Sequence, residues 1–345
     1  MSTKKGLNVL IEQWPICYTM RASVIRPHGG GVRREMVMAT KTSGGALLPI
    51  KIGIDLGGTK VEVIAMDHGG RELLRRRVRT PQDDYRAILN VIVDLVHYAE
   101  GHIGTSYTIG VGTPGALSRA TGKLKNSNST CLNGTPILED LEQLIGRPVH
   151  MSNDANCFAL SEAVDGSGAG ASVVFGVIVG TGCGAGIVVN GSVLAGLNGV
   201  AGEWGHNPLP WATDEERPGP DCYCGKRGCI ETYLSGPGMA CDHQMSTGRK
   251  LRPETIVRHA SAGDAASEAT MARYEDRMAR ALAHVINILD PDVIVLGGGM
   301  SNIARLYQNV PKLWGRYAFS DRVETKLLPA RHGDSSGVRG AAWLW

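Results

Sequence analysis

Apolar and polar residues alternate at the start of the first well-patterned segment of the chain. Ile52, Ile54 and Leu56 occupy every second position, the spacing of a strand with one buried face. The Gly57-Gly58-Thr59 turn follows, and apolar residues resume over residues 61–66. A tight glycine turn between two apolar segments predicts a β-hairpin.

Segments with helical and strand periodicity alternate after this hairpin. Residues 81–100 carry apolar side chains at helical spacing, and residues 155–163 form a second helical segment. Short apolar segments at residues 108–112 and 149–152 predict strands. Because strands separated by helices usually pair in parallel, we expect an α/β sheet with helices on its faces.

The same arrangement recurs about 125 residues later. Residues 173–179 predict a buried strand, followed by the glycine-rich turn 180–186 and a strand at 187–189. A long amphipathic helix at 271–289 precedes another strand at 293–296. The repetition predicts a duplicated α/β fold of two domains with an active-site cleft between them.

We expect the domain boundaries to follow these two units. A smaller α/β domain would span residues 51–165, with residues 337–345 docked on it as a terminal helix. A larger α/β domain would span residues 166–336. Residues 1–50 lack sustained periodicity and predict a poorly ordered extension. A start codon assigned too early and an Arg-containing targeting segment are two further interpretations of that segment.

Composition and charge exclude several classes of protein. The 345 residues are 43% hydrophobic and 20% charged, which is ordinary for a globular chain, and no apolar stretch approaches the roughly 20 residues of a membrane span. Residues 51–345 hold 29 basic and 31 acidic side chains, so they lack the basic excess of a nucleic-acid-binding protein. Eight cysteines are too few for a disulfide scaffold. We therefore expect a cytoplasmic protein that binds neither nucleic acid nor membranes.

Three cysteines and one histidine lie within a 24-residue window. His206, Cys222, Cys224 and Cys229 form the Cys3His set that structural Zn²⁺ prefers, and glycines between the thiols supply tight turns. Reduced cysteines in a mobile loop are the alternative. Because all four ligand positions would come from the protein, the zinc would be structural rather than catalytic.

Three glycine-rich turns at strand ends could bind phosphate groups or a nucleotide. Asp55 and the turn 57–59 offer a carboxylate for Mg²⁺ and closely approachable backbone amides, although the spacing is not that of a Walker A loop. The turn 180–182 offers a second such site, and residues 297–299 a surface for a base or ribose. An ordinary hairpin turn is the alternative for the first of them.

Three carboxylates are candidates for chemistry on a hydroxyl-bearing substrate. Asp154 follows Asn153 between a predicted strand and a predicted helix, where it is either a helix N-cap or a general base facing a cleft. Glu203 and Glu231 flank the predicted zinc loop. They are either solvated side chains or acceptors of paired hydrogen bonds from neighbouring sugar hydroxyls.

Four motifs resemble the ROK family of sugar kinases. They are residues 54–60 (IDLGGTK), 180–186 (GTGCGAG), 202–206 (GEWGH) and 222–231 (CYCGKRGCIE). The resemblance extends over residues 51–345. Further segments are similar to the fructose-phosphorylating members of the family in particular: residues 126–134, 153–157, 201–211 and 332–345.

This resemblance implies a duplicated actin-like ATPase (ribonuclease H-like) fold and assigns roles to the matching residues. Asp154 would be the general base. The sugar contacts would be Asn153, Glu203, His206 and Glu231, and the zinc ligands His206, Cys222, Cys224 and Cys229. ATP and Mg²⁺ would be held by Asp55, Gly57, Gly58, Thr59, Lys60, Gly180, Thr181, Gly182, Gly184, Gly297, Gly298 and Gly299.

The sequence thus predicts an ATP-dependent hexose kinase, specifically a fructokinase that makes D-fructose 6-phosphate. An N-acetylglucosamine kinase or a glucokinase of the same family is the main alternative, because carboxylates that bind paired hydroxyls suit any hexose. A sugar-responsive repressor is a remote alternative, since residues 1–50 contain Pro15, Pro27 and a triple glycine where a helix-turn-helix would have to pack. A homodimer is one expectation for the assembly.

Overall fold

The computed structural model describes residues 49–345. The prediction of a poorly ordered extension covers residues 1–50, of which residues 1–48 lie outside this range. Ile50 is instead the buried first residue of a strand. The described strands are β1 (Ile50–Leu56), β2 (Lys60–Met66), β3 (Glu72–Arg79), β4 (Tyr107–Thr113), β5 (Ala116–Leu117), β6 (Leu124–Lys125), β7 (His150–Asn153), β8 (Val173–Val179), β9 (Cys183–Val189), β10 (Ser192–Val193), β11 (Val293–Gly297) and β12 (Lys326–Pro329). The α-helices are α1 (Tyr85–Ile103), α2 (Ile137–Ile145), α3 (Asp154–Val164), α4 (Ile230–Leu234), α5 (Gly236–Thr247), α6 (Pro253–Ser261), α7 (Ala265–Leu289), α8 (Arg305–Leu313) and α9 (Ser336–Ala342).

The first sheet has the strand order β3-β2-β1-β4-β7. Strands β1 to β3 form an antiparallel meander, and β4 and β7 extend it in parallel with β1. The predicted hairpin turn joins β1 and β2, whose register runs from Lys51 opposite Met66 to Leu56 opposite Val61. The alternating residues Ile52 and Ile54 are fully buried, as the sequence pattern predicts.

The second sheet repeats this topology with the order β10-β9-β8-β11-β12. Strands β8 to β10 form the antiparallel meander, and β11 and β12 add in parallel to β8. The matching strand order and directions confirm the predicted duplication of an α/β unit. No helix among residues 49–345 is long and apolar enough to cross a membrane.

Helices α3 and α9 pack closely between the two sheets because glycine removes side chains at their contacts. A Cβ on Gly176 of β8 would lie 2.7 Å from the backbone of α3, and one on Gly53 of β1 would lie 2.1 Å from a carbonyl oxygen of α9. The two helices touch where a Cβ on Gly340 would lie 1.6 Å from the Cys157 carbonyl oxygen. These three glycines therefore serve helix packing rather than phosphate binding.

The chain passes between the two sheet units twice, after α3 and before α9. Glu162 on α3 is fully buried and accepts hydrogen bonds from both connecting segments. Its carboxylate accepts hydrogen bonds from the amides of Ser167 at 2.9 Å and Arg331 at 3.0 Å, and from the hydroxyl of Ser336 at 2.8 Å. Helix α3 belongs to the predicted smaller domain but also packs against the second sheet. The division into a smaller domain of residues 51–165 with 337–345 and a larger domain of residues 166–336 therefore stays a proposal.

Candidate active site

The carboxyl ends of β1, β4 and β7 meet at one edge of the first sheet, because these three strands are parallel. Asp55 lies near the end of β1, and Asp154 begins α3 directly after β7. Both carboxylates line a cavity of about 250 Å³. Its other walls include Gly57, Gly58, Asn128, Gly298 and Asp334.

Asn153, rather than Asp154, caps helix α3. The Asn153 side-chain oxygen accepts the amide of Asn156 at 2.8 Å, the N-cap interaction, while Asp154 is the first helical residue. One Asp154 carboxylate oxygen accepts the amide of Ala155 at 2.8 Å. The helix-cap role therefore belongs to Asn153, and the Asp154 carboxylate faces the cavity.

Asp55 and Asp154, which line the small cavity, have raised pKa values. Burial raises the pKa of Asp55 to about 6, and the charges of Asp154 and Glu62 add to the shift. Asp154 is exposed to the cleft on one side, but the surrounding protein desolvates it and raises its pKa. The Ala155 amide opposes that shift and the charge of Glu203 adds to it. The repulsion between the neighbouring carboxylates favours binding of a proton or a cation.

The turn between β1 and β2 borders the small cavity. Thr80 fixes it, because its hydroxyl donates to the Gly57 carbonyl at 2.7 Å and its amide donates to the Thr59 carbonyl at 3.1 Å. The amides of Gly58 and Thr59 have no backbone acceptor among the described residues. Gly57 and Gly58 line the small cavity, whereas Thr59 and Lys60 are not part of its lining.

A second cavity, of about 880 Å³, adjoins the first at Gly298 and Gly299. The predicted residues Gly180, Thr181 and Gly299 line it. The remaining wall comes from one side of α5, from residues 250–254 and from Met300, which sequence reasoning missed because none of them carries a recognisable motif. Its size and position beside the small cavity suit a nucleotide.

Three predicted nucleotide-binding glycines, Gly182, Gly184 and Gly297, line neither cavity, and two of them permit close packing. A Cβ on Gly182 would lie 2.6 Å from a carboxylate oxygen of Glu231, and one on Gly297 would lie 2.4 Å from the ring of Phe158. Gly184 faces α3, where its Cβ would lie 3.5 Å from a side chain. We therefore leave these three out of the proposed nucleotide contacts.

Three predicted sugar-binding residues, Glu203, His206 and Glu231, lie in the segments just before and just after the three clustered cysteines. Glu231 lies in the first turn of α4, and the amide of Cys183 donates to its carboxylate at 2.8 Å. His206 ends a 3-10 turn that starts next to the exposed Glu203. Tyr223, which sequence reasoning did not single out, places its hydroxyl 2.9 Å from His206 Nε2.

The four predicted zinc ligands converge on one point. The ligand atoms of His206, Cys222, Cys224 and Cys229 all lie within 4.8 Å of one another. His206 Nδ1 is 3.5 Å from the Cys222 sulfur, and the sulfurs of Cys224 and Cys229 are 3.7 Å apart. Such spacings match a tetrahedral site with metal–sulfur bonds of about 2.3 Å. The donor set therefore fits Zn²⁺.

A buried ion-pair network anchors the segment between His206 and the thiols. Glu216 accepts hydrogen bonds from Arg277 at 2.7 Å and Arg280 at 2.8 Å, both on α7. Burial alone would raise the pKa of Glu216, but the Arg280 and Arg277 hydrogen bonds outweigh it and lower the pKa to about 2. Arg277 also donates to Asp242 at 2.8 Å, and Asp242 lies on the helix that walls the larger cavity.

Comparison with known proteins identifies the family. The model of the ROK family matches residues 51–345, which is most of the chain. The chain belongs to the ROK family. An N-acetyl-D-glucosamine kinase from Photobacterium profundum is 40% identical over 296 residues, which cover 85% of this chain and 98% of that protein.

Solved ROK structures share the fold. The ROK hexokinase from Thermus thermophilus has a TM-score of 0.77 and 32% identity, over 86% of this chain and 97% of that one. The ROK glucokinase from Streptomyces griseus, solved with glucose and AMPPNP, has a TM-score of 0.67 and 27% identity, over 85% and 98%. This chain is thus an ATP-dependent ROK sugar kinase with the actin-like ATPase fold, as its sequence predicts.

Proposed function

We propose that this ROK kinase transfers the γ-phosphoryl group of ATP to the 6-hydroxyl of N-acetyl-D-glucosamine. The observation that carries the proposal is the position of Asp154. Its carboxylate lines the same cavity as the Gly57-Gly58 turn, and the charge of Glu203 acts on it from the other unit. That arrangement suits a proton acceptor between a phosphate site and a sugar site.

The choice of sugar rests on the relatives. The fructose prediction depends on short segments, whereas the 40% identity to an N-acetyl-D-glucosamine kinase extends over nearly the whole of that protein. We therefore favour the alternative substrate over fructose. Glucose stays the second candidate, because the Streptomyces griseus glucokinase shares the fold and 27% identity.

In the proposed mechanism, Asp154 accepts the proton of the 6-hydroxyl as the hydroxyl oxygen forms its bond to the γ-phosphorus. The bond between that phosphorus and the bridging oxygen of the β-phosphate breaks, and ADP leaves with the electron pair. A raised pKa makes an ionised carboxylate a better proton acceptor. Asn153, Glu203, His206 and Glu231 would bind the other ring substituents and orient the sugar. Phosphoryl transfer depends mainly on such positioning and on charge neutralisation.

ATP would lie with its base in the larger cavity and its phosphates toward Gly298 and the Gly57-Gly58 turn. Asp55 would hold Mg²⁺, which would neutralise phosphate charge when bound. The Cys3His cluster would hold a structural Zn²⁺ that keeps His206 beside the sugar. Cytoplasmic location and homodimer formation stay predictions.

A steady-state assay of ADP release tests the proposal. N-acetyl-D-glucosamine, glucose, mannose and fructose are compared with ATP and Mg²⁺, and Asp154→Asn serves as the control for sugar-dependent turnover. We expect the highest kcat/KM for N-acetyl-D-glucosamine. A higher value for fructose would restore the fructokinase interpretation, and a higher value for glucose would favour a glucokinase.

A further inference from the structure

Helices α4 and α5 connect the proposed sugar site to the larger cavity. Only Ser235 separates them, because α4 ends at Leu234 and α5 begins at Gly236. Glu231, a proposed sugar contact, lies in the first turn of α4. One side of α5 lines the cavity proposed for the nucleotide, through Gly236, Pro237, Ala240, Cys241 and Gln244. The position of this helix pair therefore affects both substrates.

Arg277 on α7 contacts both helices from their buried side. Its side chain is only 7% exposed. The guanidinium lies over the ring of Tyr233 on α4, 5.0 Å from the ring centroid, and donates to the Asp242 carboxylate on α5 at 2.8 Å. Its Nε also donates to Glu216 at 2.7 Å. One planar group with several donors thus meets α4, α5 and the segment that precedes the clustered cysteines.

Asp242 and the cavity-lining residues lie on different faces of α5. The lining positions are 236, 237, 240, 241 and 244, which is the spacing of one helical face. Asp242 faces α7 instead, where Arg273 also donates to it at 2.7 Å. At the start of α5, the Gly236 amide donates to the Gly180 carbonyl at 2.8 Å. Helix α5 is therefore held by α7 on one side and presents its other side to the nucleotide.

Helix α4 is held against the same arginine through its tyrosine. The Tyr233 hydroxyl donates to the Glu216 carbonyl at 2.6 Å, and the Tyr274 hydroxyl on α7 donates to the Leu234 carbonyl at 2.7 Å. The buried Tyr233 ring packs under the Arg277 guanidinium, so each side chain fixes the position of the other. Because Glu231 lies two residues before Tyr233, a shift of that ring would also move the sugar-binding carboxylate.

We propose that Arg277 is a positioning residue for both substrates, because it holds α4 and α5 in a fixed relation. Arg277 lines neither cavity. It acts through Tyr233 on the sugar contact and through Asp242 on the wall of the nucleotide cavity. This inference rests on the proposed function for the sugar contact of Glu231. The proposed base lies on α3, outside these contacts, so loss of Arg277 should weaken binding more than the chemical step.

Two substitutions separate the contacts of Arg277. Arg277→Lys keeps the charge but loses the planar fork that binds Glu216 and Asp242 together. The calorimetric Kd values of N-acetyl-D-glucosamine and of AMPPNP with Mg²⁺ should therefore both rise about fivefold, with kcat within about twofold of wild type. Asp242→Asn leaves Glu216 paired with Arg277 and acts on α5 alone. Only the Kd of AMPPNP should then rise, by about threefold.

Arg305→Gln is the matched control. Arg305 on α8 also forms ion pairs with α7, to Glu268 at 2.6 Å and to Glu275, but these pairs involve neither α4 nor α5. The substitution should lower the melting temperature and leave both dissociation constants unchanged. It thereby separates a loss of stability from a loss of positioning.

The outcomes distinguish this inference from the proposed function. Wild-type turnover of each hexose reports the substrate preference, whereas the shifts in Kd on substitution report the role of Arg277. Wild-type Kd values in folded Arg277→Lys would overturn the positioning role, and so would equal shifts in Arg305→Gln. An unchanged Kd of AMPPNP in Asp242→Asn would overturn it even if Arg277→Lys failed to fold.

Discussion

Asp154 has the environment of a proton acceptor rather than of a helix cap. Its neighbour Asn153 makes the capping hydrogen bond, and the Asp154 carboxylate lines the cavity with a raised pKa. The same short segment therefore supplies the helix start and the proposed base without competition between the two tasks.

Replacing Asp154 by Asn should lower kcat by about 10²- to 10⁴-fold, because the amide keeps the shape but cannot accept the proton. Sugar and ATP dissociation constants from calorimetry should stay within a few-fold of wild type. In the wild type, kcat/KM should fall as acid protonates Asp154, at a pH above the ordinary aspartate range, and the residual activity of Asp154→Asn should lack this limb. A fall in kcat below about tenfold would contradict the general-base role.

Asp55 should cost the protein stability in the absence of nucleotide and Mg²⁺. Its pKa is raised to about 6 in the folded chain from an ordinary value of 3.8, so stability is lost as pH rises through this interval and the side chain ionises. Allowing for its partial exposure, Asp55→Asn should raise the free energy of unfolding by about 1–2 kcal/mol at pH 7.

Denaturant titrations at two pH values check this effect. The gain of Asp55→Asn should become small near pH 4, where the wild-type carboxyl is largely protonated, while kinase activity is lost at every pH. An equal gain at pH 4 and pH 7 would show that ionisation of Asp55 is not its source.

Among the elements, residues 222–229 are held partly by packing, because Cys222 and Cys229 are buried, and we expect a bound metal to hold the remainder. Cys224 is exposed and little apolar surface holds it in place, so a metal is expected to fix its sulfur. Cys224→Ser should lose most of one zinc per chain and lower the melting temperature. Metal analysis of protein purified without added zinc measures this.

Cys241 provides the matched control for that substitution. It is also an exposed thiol, but it lies on α5 outside the cluster, so Cys241→Ser should keep its zinc. Stoichiometric zinc in Cys224→Ser, or loss of zinc from Cys241→Ser, would contradict the ligand assignment.

Elements with strong local patterns could be predicted from the sequence, and others could not. The strand at residues 173–179 and the hairpin after Leu56 appear as predicted, because continuous or alternating apolar residues and a glycine turn act locally. Strand β3 was missed because it is an edge strand with four arginines and little alternation. Helix α5 combines glycine, proline and polar residues without a clear apolar face, although it walls the larger cavity.

Some features of the site could not be predicted from the sequence because they depend on contacts between distant segments. The choice between Asn153 and Asp154 as the cap depends on which side chain turns toward the helix. The Glu216–Arg277 pair joins residues 61 positions apart, and no local pattern marks either as a partner. The role of Gly182 is similar, since its missing side chain matters only because Glu231 folds against it.

At the scale of the whole molecule, the proposed site depends on the relative placement of the two sheet units. Asp55 and the Gly57-Gly58 turn come from the first unit, whereas Glu203, His206 and Glu231 come from the second. Helices α3 and α9 join the units, and the buried Glu162 ties both connecting segments. A substrate that contacts both units would draw them together and exclude water from the reacting phosphate.

A competition experiment in one vessel tests most directly whether N-acetyl-D-glucosamine is the preferred substrate. Equal concentrations of N-acetyl-D-glucosamine, glucose and fructose are supplied with limiting ATP and Mg²⁺, and the phosphorylated products are quantified by mass spectrometry and ³¹P NMR. We expect N-acetyl-D-glucosamine 6-phosphate to be the dominant product and Asp154→Asn to form almost none. A dominant product from fructose or glucose, or phosphate on a hydroxyl other than the 6-hydroxyl, would contradict it.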